Sequence, residues 1–135
     1  MTSPTPPDRP GLARVTAAIS QLAFWGGVII TAYMALTPLQ HEAAGSISAG
    51  SQHLAAFAYL TITMWCAYRV RIPPARIVLI LFGYGLGIEL VQLSMAYRTF
   101  ELIDLAADAV GIALGATCII LAIRVTPGAS LYPTW

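Results

Sequence analysis

Over the stretch Glu89 to Asp108 the chain sets out Glu89-x-x-Gln92, then Arg98, Glu101 and Asp104-x-x-x-Asp108, residue types able to exchange protons, hold a cation or bind a polar ligand. Their surroundings make them informative, because they interrupt two strongly apolar runs, GYGLGIELVQLSMAY and LIDLAADAVGIALG. An ionisable side chain within hydrocarbon costs about 3 kcal/mol or more on insertion scales. Acids kept there against that cost point to function. His53 stands at the head of another apolar run and adds an imidazole, which serves as an acid, a base or a metal ligand.

The elements that must carry these residues follow from composition. Of 135 residues 58% are hydrophobic and 10% charged, with mean hydropathy +0.75, whereas an ordinary soluble domain has roughly 25% charged residues. This is the composition of an integral membrane protein. A net charge of +1, no lysine and arginines dispersed along the chain leave no basic surface for nucleic acid.

Crossing a bilayer core takes about 20 helical residues. Runs at 15–37, 75–96 and 103–124 meet that length, and one at 53–70, with Thr61 and Thr63 inside it, is borderline. Strands are excluded because the runs lack polar–apolar alternation, and a membrane barrel needs about eight or more such strands. The expected fold is all-α, a bundle of four transmembrane helices. An N-terminus in the cytoplasm puts Arg9, Arg14, Arg69, Arg71, Arg76 and Arg124 inside and Arg98 alone outside. That bias is the one the positive-inside rule favours. Both termini are therefore expected in the cytoplasm of a bacterial inner membrane, with the connections near 38–52 and 97–102 on the extracytoplasmic face.

The flanks add little chemistry. Residues 1–14 contain four prolines and no apolar periodicity, which reads as a disordered lead, and 125–135 read as a short tail with interfacial Tyr132 and Trp135. The first apolar run exceeds the 7–15 residues of a signal-peptide core, which favours a retained helix. Cys66 and Cys118 lack a metal-ligand spacing and are expected to be packing residues.

In this topology Glu89 and Gln92 share one face of the third helix, roughly 10 and 6 Å below the outer boundary at about 1.5 Å per residue. Asp104 and Asp108 share one face of the fourth, continued by Gly111 and Gly115, a small-residue pattern that admits a neighbouring helix closely. Three helices thus converge with His53 on one polar cluster. Glu89, Glu101, Asp104 and Asp108 outnumber Arg98 there, so simple pairing cannot neutralise them. Water in an outward pocket, a bound cation or a proton held on the deepest acid, Glu89, would restore balance. A divalent ion would find its ligands among His53, Glu89, Asp104 and Asp108.

At these residues the chain resembles the VanZ-like family of small bacterial membrane proteins. Members show a histidine opening a helix, a Glu-x-x-Gln, an arginine six residues later, an aspartate six beyond that and a D-L-x-A-N-x-x-G helix start. The corresponding residues here are His53, Glu89-Leu-Val-Gln92, Arg98 and Asp104-Leu-Ala-Ala-Asp108-Ala-Val-Gly111. Two departures stand out: an acidic-lysine pair before the histidine is Ala49-Gly50, which removes a cation, and the asparagine is Asp108, which adds an acid. The family is named after an accessory protein linked to resistance to the glycopeptide teicoplanin, so the resemblance implies a role at the cell envelope.

Each residue also has a plainer use. Gln92 and His53 could be interhelical hydrogen-bond glue, Arg98 and Glu101 a solvated loop pair, and Gly83, Gly85 and Gly87 packing residues or a hinge. Three functional classes stand. The first is a non-enzymatic envelope protein binding a lipid-linked ligand or a membrane partner in its acidic pocket. The second is an intramembrane enzyme using Glu89 or His53, or a metal, on a lipid-linked or polyprenyl head group. The third is a proton- or ion-coupled transporter subunit.

Overall fold

The computed structural model describes residues 9–37, 49–96 and 101–125. These form four helices, α1 (Arg9–Leu36), α2 (Ala49–Tyr68), α3 (Pro74–Gln92) and α4 (Leu102–Val125), with no strand among the described residues. In hydrocarbon each backbone N–H and C=O must be satisfied within the chain, and a helix does this locally. α1, α3 and α4 are each long and apolar enough to cross a membrane, and α2, the borderline run, is not among these three.

The helix limits differ from the expected ones for local reasons. α1 starts at Arg9 because Pro10 falls in the first turn, where its missing N–H breaks no intrahelical bond. α2 begins a turn before His53. It ends at Tyr68, whose carbonyl accepts from the amides of Arg71 (2.8 Å) and Ile72 (2.9 Å), and Pro73 and Pro74 restart the chain as α3. α3 stops at Gln92, not Ala96: the Ser94 and Met95 amides bond the carbonyls of Val91 (3.0 Å) and Gln92 (2.9 Å), tightening the chain into turns. Of the expected disordered lead 1–14, residues 9–14 belong to α1, and residue 125 of the expected tail ends α4; residues 1–8 and 126–135, and Arg98, lie outside the described residues.

α2 is the central helix. It packs along α4 in parallel and against α1 in antiparallel sense, and α3 bridges α1, α2 and α4. Close approach of α2 and α4 depends on two glycines. A Cβ at Gly111 would collide with the Leu54 carbonyl oxygen, and one at Gly115 would stand 2.8 Å from the Ala58 carbonyl oxygen. The core, Phe24, Phe57, Leu60, Met64, Trp65, Ile77, Leu81 and Ile112, fills the middle and the end bearing the α2–α3 turn. Outside, Leu22, Ile29, Leu79, Ile103 and Leu121 face outward. Apolar residues outside and acids inside are the distribution a lipid solvent selects.

Candidate functional site

The site lies at the end of the bundle opposite the α2–α3 turn, where three helices each contribute a side chain. His53 comes from the second turn of α2, Glu89 from the last turn of α3, and Asp104 and Asp108 from the first two turns of α4. Four residues, about one helical turn, separate Asp104 from Asp108, so both acids point the same way, into the seam with α2. Glu89 and Asp108 are fully buried, and Gln92 and Asp104 are nearly so.

His53 is the hub. Its Nδ1 lies 2.8 Å from Asp108 Oδ1 and its Nε2 lies 3.8 Å from Asp104 Oδ2. The imidazole lies parallel to the buried Phe57 ring one turn along α2, with centroids 6.4 Å apart. One ligand atom each from His53, Glu89 and Asp104 lie within 4.8 Å of one another. Glu89 Oε2 accepts a hydrogen bond from the Glu101 backbone N–H at 3.1 Å, the amide immediately before α4. The positive end of α4's dipole thus meets both Glu89 and Asp104 and favours negative charge there.

Two oxygens keep no partner among the described residues: Glu89 Oε1 and Asp108 Oδ2, both without solvent contact. A buried polar atom so left costs about 1–3 kcal/mol, more when charged. The glycine at 85 makes room for Asp108, because a Cβ there would collide with Asp108 Oδ2 and stand 3.1 Å from Phe57 Cζ. Gly83 and Gly87 have open space around them, and α3 continues unbroken through all three glycines. Beside His53 a cleft of about 200 Å³, walled by Met34, Ala35 and Gln52, opens between α1 and α2.

Of the expected site residues, His53, Glu89, Asp104 and Asp108 come together. Gln92 turns to α1, where its Nε2 donates to the Ala35 carbonyl at 2.9 Å. Arg98 lies outside the described residues. Gly111 and Gly115 do admit a neighbour, α2. Cys66 and Cys118 are free thiols on the exterior and pack no core. Away from the site the described threonines 61, 63 and 117 donate to carbonyls of their own helices.

Two contributors were not foreseen: Gly85, alike in sequence to its neighbours at 83 and 87, and the Ala35 carbonyl. The run of small residues at every second position was the only signal for the first, and a backbone carbonyl gives none.

The arrangement can bind a cation or the cationic part of a ligand, and its His53–Asp108 pair can hold a proton in a fixed place. The family model described as VanZ/LLP1 matches residues 14–123. No curated protein and no solved structure gives a match.

Proposed function

The chain belongs to the VanZ/LLP1 family, and from that premise we propose that it is a non-enzymatic accessory protein of the cell envelope whose acidic site binds a lipid-linked ligand or a membrane partner. It sits in the bacterial inner membrane with both termini in the cytoplasm. The arginine bias supports that orientation, since Arg69, Arg71 and Arg76 gather at the end opposite the acids. The acidic site then opens to the extracytoplasmic side, where envelope precursors and glycopeptides are met.

One observation carries the reading. Glu89 and Asp108 are fully buried, yet each keeps an oxygen with no partner among the described residues. Carboxylates serving only to join helices would have both oxygens bonded, and amides would join helices at lower cost. Buried oxygens left without a donor fit a ligand's donors or positive charge, and His53, which contacts Asp108, lines a cleft.

The test is complementation of a deletion strain scored for growth under glycopeptide and other cell-wall stress. Glu89→Gln, Asp104→Asn and Asp108→Asn should each abolish complementation while membrane insertion stays at the wild-type level. Full complementation by all three would overturn the proposal.

A further inference from the structure

We propose that the site takes a first-row divalent cation, of the Zn²⁺ or Mn²⁺ type, ligated by His53 Nε2, Glu89 and Asp104, with Asp108 orienting the histidine. The inference rests on the reading above that these residues are a binding site, and it names the ligand class.

The geometry starts from His53. An ionised Asp108 can only accept, so the 2.8 Å contact places the imidazole proton on Nδ1 and leaves the Nε2 lone pair directed away from Asp108. Carboxylate–histidine pairs of this kind fix the tautomer and ring orientation of metal-bound histidines. Asp104 Oδ2 is 3.8 Å from that same Nε2. Atoms bonded to one ion at about 2.0–2.2 Å, the range for Zn–N and Zn–O bonds, stand about 3.0–3.5 Å apart at tetrahedral or octahedral angles. The three ligand atoms, within 4.8 Å of one another, need small side-chain adjustments to reach such an ion.

The second, independent observation is the unpartnered Glu89 oxygen. Oε2 is occupied by the Glu101 amide, whereas Oε1 is buried without a partner among the described residues. A cation supplies what that oxygen lacks. The excess of carboxylates over cations at this end of the chain points to the same answer.

Ligand type selects the ion. One imidazole with two carboxylates suits Zn²⁺ or Mn²⁺, whereas Mg²⁺ and Ca²⁺ take oxygen ligands alone. Three protein ligands leave coordination positions for a further ligand, such as a phosphate or carboxylate oxygen, and His53 itself lines the neighbouring cleft.

The probe is the metal itself. Purified full-length protein in lipid nanodiscs, free of any affinity tag, is titrated with Zn²⁺ by calorimetry and with Mn²⁺ by electron paramagnetic resonance. The expected result is one saturable site per chain for at least one of the two ions, unaffected by millimolar Mg²⁺. Glu89→Gln and His53→Ala should each weaken it at least 100-fold, and Asp108→Asn by about 10–100-fold, as for other outer-shell carboxylates. Circular dichroism and gel filtration establish that each variant is folded, and the wild-type titration stands without them. Absence of a saturable site in the wild-type protein, or wild-type affinity in folded Glu89→Gln and His53→Ala, would overturn the inference. A chain that binds no metal yet loses complementation with Glu89→Gln overturns the metal alone. A chain that binds metal but complements fully with the same substitution overturns the envelope reading alone.

Discussion

The two ends of this bundle are built from the same four helices and are closed in opposite ways. At the end bearing the α2–α3 turn, Met64, Trp65, Ile77 and Leu81 fill the space between helices. At the other, His53, Glu89, Asp104 and Asp108 fill it. One helical turn separates Asp108 from buried Ile112 on α4, and one turn separates Leu81 from Gly85 on α3. Where the helices are fastened across the bundle away from the site, neutral groups suffice: Trp25 Nε1–H donates to the Tyr68 hydroxyl at 3.0 Å and the Tyr84 hydroxyl to the Val28 carbonyl at 2.7 Å. Packing and neutral bonds therefore hold these helices together without acids. The acids are an additional requirement on the fold.

The comparison is most open to attack at the His53–Asp108 pair. Removing one partner of a buried ion pair typically costs about 3–5 kcal/mol, because the other charge stays buried and uncompensated. We predict a loss of that size for His53→Ala, read as unfolding free energy in bicelles. Replacing both by apolar residues, His53→Leu with Asp108→Val, should return the stability to the wild-type level or above it while complementation stays lost. A double variant less stable than His53→Ala would show that the acids hold the fold, and the two ends would no longer differ in kind.

Leu81→Ala makes the converse test in the apolar end. Leu81 is 1% exposed within the core, and truncating such a leucine costs about 2–5 kcal/mol through lost contacts and an unfilled cavity. The folded fraction should complement fully, because Leu81 belongs to the apolar core and adds no polar group to the site. Gly85→Ala comes next. Its new methyl meets the Asp108 carboxylate and Phe57, and overpacking of this sort costs about 1–3 kcal/mol. Loss of complementation is expected even at temperatures where the protein is folded. Gly83→Ala and Gly87→Ala, with open space at each position, should be neutral in both assays.

How far the sequence revealed this contrast depends on the scale at which each feature is encoded. Four helices and their alternating direction are carried by long apolar runs and by where the arginines fall, signals spread over many residues. Acids facing inward followed from helical spacing and the cost of charge in lipid. The pairing of His53 with Asp108 did not, because it depends on the register of α2 along α4, set by Gly111 beneath Leu54 and Gly115 beneath Ala58. The end of α3 was misplaced for a similar reason. Residues 93–96 are apolar enough to continue a helix, but the chain turns at Gln92, and the α4 N-terminus comes back onto Glu89. Tertiary demand overrode local preference there.

The smallest expected effect separates two residues that sequence spacing treats alike. Glu89 and Gln92 lie on one face of α3, three residues apart, and both are buried. Gln92 joins α3 to α1 through a single neutral bond to the Ala35 carbonyl. Interhelical bonds of that kind contribute about 0.6 kcal/mol in membrane proteins, so Gln92→Ala should lower the unfolding free energy by about that amount and leave complementation intact. Glu89→Gln should invert the pattern, since the amide keeps an oxygen for the Glu101 N–H but removes the charge. Stability then changes by less than about 1 kcal/mol, while complementation disappears. If Gln92→Ala also abolished complementation at unchanged stability, the functional surface would extend across to α1, and the boundary between fastening and function would have to move one turn outward along α3.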